Sequence, residues 1–224
     1  MLQNFFQEFK CSNNSIVSKN FYGIQRSKMK CEECQVTKYS FQTFNMEIFQ
    51  LKKLREDKKA DFGPHYNTLT LMEAFYYSEK EDILEGENMI YCNKCRKLTK
   101  GRNKQDFYRL PRILIIVLNR GKNNADFNEE FDFPENIDFT NQNIILDKSS
   151  YMKYYLMSVI THLGESGSNG HFIAYVRDGR SDRFYCYNDA SVSKVKVKDA
   201  MKQKISKKEE EKITPYILFY HCDE

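Results

Sequence analysis

Tryptophan is absent from this 224-residue sequence, and proline occurs only four times, glycine nine times and histidine four times. So little proline and glycine excludes a collagen-like or low-complexity chain, and four histidines are few enough to weigh one by one. Long apolar runs are missing too. The longest, ILIIVL at Ile113–Leu118, falls far short of the roughly 20 residues a membrane-spanning helix needs. The opening MLQNFFQEFK is broken by Gln and Glu and has no basic start, so it does not read as a secretory signal. Net charge is small, with 35 Lys+Arg against 31 Asp+Glu. No compact basic stretch carries interleaved aromatics, which argues against nucleic acid as a partner. What the chain does have is aromatic and aliphatic residues: fifteen Tyr, seventeen Phe and 41% hydrophobic overall. That is a globular, strand-favouring composition, long enough for one substantial core.

Periodicity organises the chain. Leu2, Phe5, Phe6 and Phe9 share one face of a helix. Residues 40–54, SFQTFNMEIFQLKKL, alternate in part and predict a strand, residues 55–67 a loop, and TLTLMEAFYYSE a short helix capped by Thr68 or Thr70. RILIIVLNR is apolar on both faces and predicts a strand central to a sheet. FDFPENIDF reads as an irregular edge, and YYLMSVITHLG, HFIAYVRD, RFYCYNDAS and PYILFYHC as four further strands. GESGSNG and DGRSD supply turns, and the Lys/Glu-rich stretch before the last strand a surface helix or loop. The expectation is an antiparallel sheet of five or six strands with an inserted arm bounded by two cysteine pairs.

Those pairs, Cys31-Glu-Glu-Cys34 and Cys92-Asn-Lys-Cys95, let two tight turns aim four thiolates at one ion. This is the pattern of a structural Zn²⁺ site with no open position for water. Unrelated thiols or a redox pair are the alternatives, but a redox motif expects one pair beside a βαβ unit. Unpaired cysteines in such number suit a reducing compartment, the cytosol or nucleus. Cys11, Cys186 and Cys222 carry no comparable pattern.

Among the histidines, His65 lies in a polar loop, His221 near the chain end, and His162 at a strand end. His171 directly follows SGSNG and opens FIAYV, which places its ring at a sheet rim. An imidazole base needs its second nitrogen held by an acceptor, and Asn188 and Asp189 close the next strand.

The sequence resembles the ubiquitin-specific proteases, papain-like cysteine peptidases that remove ubiquitin. The matching segments, in order, are FYGIQRSKMKCEEC, MIYCNKC, LPRILIIVLNR, FDFPENIDF, YYLMSVITHLG, NGHFIAYVRD and FYCYNDASV. The resemblance implies an α+β fold: a mainly antiparallel β palm with an inserted zinc-binding fingers arm, a partial papain-like cysteine peptidase domain. It would span 1–224, with fingers over about 22–105 and palm over 106–224. It implies His171 as general base, Asn188 as the residue that orients it, Asp189 as its support, and Cys31, Cys34, Cys92 and Cys95 as zinc ligands. Ubiquitin and ubiquitinated proteins are the implied partners, with no nucleic acid and no membrane. The family's N-terminal box bearing the nucleophilic cysteine has no counterpart here, nor does most of its thumb. The chain alone is therefore expected to be inactive, unless an N-terminal segment elsewhere carries the nucleophile. Gly121 stands where an aromatic is usual, and Phe184 or Tyr185 near a usual Trp. A non-catalytic ubiquitin-binding module and a zinc-dependent scaffold are the competing expectations.

Overall fold

A computed structural model describes residues 15–63, 68–121, 129–166, 169–204 and 212–223. The expected helix over Leu2–Phe9, His65 and Cys11 lie outside these residues. Ser15 caps α1 (Ile16–Phe21), its hydroxyl accepting from the Ser18 N–H. Next come β1 (Gly23–Cys31), β2 (Thr37–Phe44), β3 (Glu47–Gln50) and α2 (Leu51–Phe62). After β4 (Leu69–Thr70) and α3 (Leu71–Ser78) follow β5 (Asp82–Leu84), β6 (Ile90–Cys92), β7 (Lys97–Thr99) and β8 (Gly101–Arg109). The remainder is β9 (Ile113–Asn119), β10 (Phe131–Asp132), β11 (Asn136–Asp138), β12 (Lys153–Ser166) and β13 (Asn169–Arg177). The last elements are β14 (Arg183–Asn188), β15 (Ser191–Lys196), α4 (Val197–Ala200) and β16 (Ile213–Cys222).

An eight-stranded sheet runs β15-β14-β13-β12-β16-β9-β3, with β11 also paired to β12. A four-stranded sheet, β2-β1-β8-β5, leads out to the small β6–β7 hairpin. The fold is thus mixed α/β, dominated by antiparallel sheets. The main sheet exceeds the five or six strands expected, because β15, the largely polar SVSKVK, was not foreseen and the four-residue β3 is too short to stand out by alternation. β3 pairs with β9 in parallel, so β9 is next to the edge rather than central.

The single strand expected over 40–54 is instead β2, β3 and the start of α2, and the loop expected over 55–67 is helix as far as Phe62. The inward positions of α2 explain why. Leu51, Leu54, Arg55 and Lys58 have helical spacing and are all buried, but half of that stripe is charged. The Arg and Lys stems cover apolar surface while their heads find partners: Lys58 Nζ lies 2.7 Å from Glu73 and 3.1 Å from the Thr68 carbonyl. Gly63, at φ 81°, ends the helix. α3 matches expectation. The Thr70 hydroxyl accepts from the Glu73 N–H, and the Glu73 carboxylate accepts from the Thr70 N–H, a reciprocal cap.

Phe75 on α3 fastens the two sheets. Fully buried, it meets edge-on Phe49 of β3 at 5.1 Å, Phe107 of β8 at 5.3 Å and Phe139 at 5.1 Å. A polar joint accompanies it. Gln25 of β1 donates to Glu47 of β3 at 2.9 Å and accepts from Gln105 at 2.7 Å. Glu79, at the end of α3, accepts from the Phe107 N–H and lies 3.7 Å from Lys104 Nζ.

Burial pushes the Glu47 and Glu79 carboxyls up to about 7, against the opposing pull of Gln25 on one and Lys104 on the other. Between pH 4.5 and 7 the folded chain therefore holds protons at both sites that the unfolded chain has lost. Stability should fall as pH rises through that window and level off above it. His162, whose pKa burial lowers, works oppositely below its ordinary value of 6.5, so the comparison must be between variants. Urea unfolding from pH 5 to 8 should show Glu47→Gln relieving roughly 1–3 kcal/mol of the loss. Identical pH slopes in variant and wild type would refute the assignment.

Candidate functional site

β13 and β14 form a hairpin that brings together the end of a glycine-rich turn and the end of the next strand. Ile173 and Tyr175 point into the core, so alternation puts His171 on the same face at the sheet rim. Gly170 makes this possible. A Cβ there would sit 2.2 Å from the His162 ring and 2.4 Å from the Leu163 carbonyl, so any other residue would force β13 away from β12. His162 itself faces Phe172, edge to face at 4.9 Å, on the side of the sheet opposite His171. It is buried and does not line the rim. His221 stacks near Tyr155 and stays at the strand end.

Asn188 Oδ1 lies 2.7 Å from His171 Nε2. An amide oxygen only accepts, so Nε2 carries the hydrogen and Nδ1 keeps its lone pair. Among the described residues the ring makes no other hydrogen bond. The Asp189 carboxylate stands 3.8 Å from the same Nε2, carried there by a left-handed φ of 48°, a conformation Asp tolerates. The structure thus gathers the three residues His171, Asn188 and Asp189 at one rim. Of the remaining described thiols, Cys222 is fully buried and Cys186 half-buried, and neither bonds the ring.

The four paired cysteines meet at the tip of the smaller sheet. Their sulfurs all lie within 4.8 Å of one another, with Cys34–Cys92 at 3.5 Å and Cys31–Cys95 at 3.9 Å. Tetrahedral Zn–S bonds of about 2.3 Å place sulfurs about 3.8 Å apart, so the cluster is compatible with one metal ion. Those separations also exclude disulfides, which hold sulfurs about 2.05 Å apart. Both turns have the same build. Gln35 and Arg96, each one residue past the second cysteine, take φ near 60° and return an N–H to the first cysteine's carbonyl. The Cys34 N–H and then the Thr99 hydroxyl lower the Cys31 thiol to about 6, favouring the thiolate. Thr99 was not singled out from the sequence. Its only signal is its position four residues past Cys95. No helix among the described residues is long and apolar enough to cross a membrane.

A β-rich fold with a rim His–Asn pair and a remote four-thiol cluster has the parts of a cysteine-hydrolase scaffold. Residues 2–220 match the family model described as Ubiquitin carboxyl-terminal hydrolase, and the chain belongs to that family. It is 28% identical over 214 residues to Ubiquitin carboxyl-terminal hydrolase 25 of Arabidopsis thaliana, covering 93% of this chain and 28% of that protein. Human Ubiquitin carboxyl-terminal hydrolase 21 is 30% identical over 180 residues, covering 78% of this chain and 30% of that protein. Ubiquitin carboxyl-terminal hydrolase 4 of the yeast Vanderwaltozyma polyspora is 26% identical over 96% of this chain and 24% of its own length. The chain therefore spans roughly a quarter to two-fifths of the curated relatives it matches.

Proposed function

We propose that the chain is the base-bearing portion of a thiol-dependent deubiquitinase, which cleaves the bond after ubiquitin's C-terminal glycine. The observation that carries this is the His171–Asn188 contact at 2.7 Å with Nδ1 left open. In this reading His171 Nδ1 takes a proton from a cysteine thiol, and the thiolate attacks the glycine carbonyl. The imidazolium is held by the Asn188 amide oxygen and stabilised by the Asp189 carboxylate. The same ring then protonates the departing lysine amine and later activates water against the thioester. The eight-stranded sheet serves as palm and the four-stranded sheet as fingers, whose four cysteines hold a structural Zn²⁺. A reducing compartment, cytosol or nucleus, suits those unpaired thiols.

The described thiols leave the nucleophile to be supplied from elsewhere, so the 224-residue chain by itself should bind ubiquitin without reacting. The test combines ubiquitin affinity with labelling by ubiquitin bearing a C-terminal electrophile, on wild type, Cys11→Ala and His171→Ala. We expect measurable affinity and no adduct. Joining a thiol-bearing segment taken from a family relative should create labelling that His171→Ala removes. Adduct on the 224-residue chain that disappears in Cys11→Ala would overturn the assignment of the nucleophile. Absence of any ubiquitin binding would overturn the function.

A further inference from the structure

The hairpin that ends in Asn188 continues into a sheet edge that no other described strand pairs. β15 is the outermost strand on that side, and Ser191, Val192, Ser193, Lys194 and Lys196 are all exposed. The connection Asp189–Ala190 is two residues long, so Asn188 and Ser191 close the ladder as a hydrogen-bonded pair. Alternation then turns the backbone groups of Val192, Lys194 and Lys196 away from β14. The Asp199 carboxylate takes the Lys196 N–H at 3.0 Å, which leaves Val192 and Lys194 offering theirs outward.

The side chains of those residues share a face with their partners across the ladder, Tyr187, Tyr185 and Arg183. One patch therefore gathers Arg183, Lys194 and Lys196, a grouping invisible in the sequence because it is assembled from two strands. Among the described residues only Arg183 has a carboxylate partner, Asp178 at 3.0 Å. Arg183 and Lys196 are directly opposite, a like-charge pairing that costs stability and that Asp178 offsets at Arg183. Lysines on an edge strand deter pairing with other chains, yet here they occupy alternate positions on one face, beside outward backbone groups.

We infer that β15 receives an extended acidic segment of the protein from which ubiquitin is removed. The segment adds as a further strand, its carboxylates at alternate residues over Lys194, Lys196 and Arg183. This rests on the function proposed above and extends it to the choice of target. With a rise of about 3.4 Å per residue, Lys194 and Lys196 lie roughly 10 and 17 Å along the strand from the Ser191 end, where Asn188 holds the His171 ring. A single-stranded nucleic acid would meet the charges and stack on Tyr187, but it would leave the outward N–H and C=O groups unpaired. A peptide strand meets both requirements.

The probe is a fluorescein-labelled peptide of alternating Glu and Val, compared by anisotropy with an isomer that has the same residues in two blocks. The alternating peptide should bind the chain more tightly than the blocked one. Lys194→Glu combined with Lys196→Glu should weaken it about tenfold. Val192→Pro keeps both lysines and removes one outward donor, a change an edge strand tolerates, and should weaken binding several-fold. Thermal melts establish that both variants fold, and ubiquitin affinity should be unchanged in both. Equal binding of the two peptides, indifference to Val192→Pro, or no binding at all would overturn the inference. So would displacement of the peptide by an oligouridine of equal charge. Because ubiquitin affinity is read separately, loss of peptide binding alone leaves the deubiquitinase reading standing, whereas loss of ubiquitin binding by wild type strikes that reading.

Discussion

Withholding the metal proposed at the four cysteines, by a strong chelator or by Cys31→Ser or Cys95→Ser, should unfold the tip of the four-stranded sheet while leaving the eight-stranded sheet ordered. Protein prepared without added metal should contain close to one zinc per chain, and none in either variant. The reason is how little else holds the tip. β6 and β7 have three residues each, and an isolated two-stranded hairpin of that size is not stable in water. Tyr91 and Leu98 are exposed, so the buried residues of these two strands are Cys92, itself one of the four thiols, and Thr99, which lies against Cys31. Where packing is this thin, the free energy of binding zinc, on the order of 10 kcal/mol, is the free energy of folding the site. Amide exchange should rise over β6, β7 and the far ends of β1 and β8, with β12 and β16 still protected. Full protection of β6 and β7 in zinc-free protein would show that the cluster holds no structural metal.

The largest kinetic effect is expected at His171. In a form of the protein that turns over a ubiquitin C-terminal fluorogenic substrate, His171→Ala should lower kcat by about 10³-fold or more, with KM little changed, because a base acts in the transition state and not in ubiquitin binding. Asn188→Ala should cost less, on the order of 10–10²-fold, since Asp189 remains 3.8 Å from the ring nitrogen that Asn188 orients. Asn188→Asp should restore part of the loss, because a carboxylate accepts the same N–H. A His171→Ala variant that keeps wild-type kcat would remove the proposed base. Equal loss in kcat from Asn188→Ala and Asn188→Asp would show that an acceptor at this position does not restore the ring, against the orienting role.

Local chemistry made the rim legible in the sequence. A histidine just after a glycine turn, followed by alternating strand residues, can only stand at the head of a strand, and Asn188 follows from the same alternation one hairpin later. The cysteine pairs were equally plain, because a CxxC turn works over four residues and owes nothing to the rest of the chain. What escaped was decided at a distance. α2 hides its inward face behind Arg55 and Lys58, whose partners Glu73 and Glu129 lie elsewhere in the chain. β3 is a strand because β9 lies alongside, and four residues alone carry no such message. Glu47 and Glu79 look like surface acids until the two sheets close over them.

The two cysteine turns are 58 to 64 residues apart, and the chain between them leaves the arm to build β3, α2, β4 and α3 into the main core before returning. An ion held by both turns is therefore a clasp on a loop that passes through the body of the protein. Bringing the ends of a loop of that length together costs about 4 kcal/mol of chain entropy, a cost already met once the chain between the turns has packed into the core. A zinc ion there would stabilise a folded core it never touches, and its capture should be favoured once α3 has docked. Metal capture should accordingly be a late event in folding, slowed by substitutions such as Phe75→Leu that lie far from any sulfur.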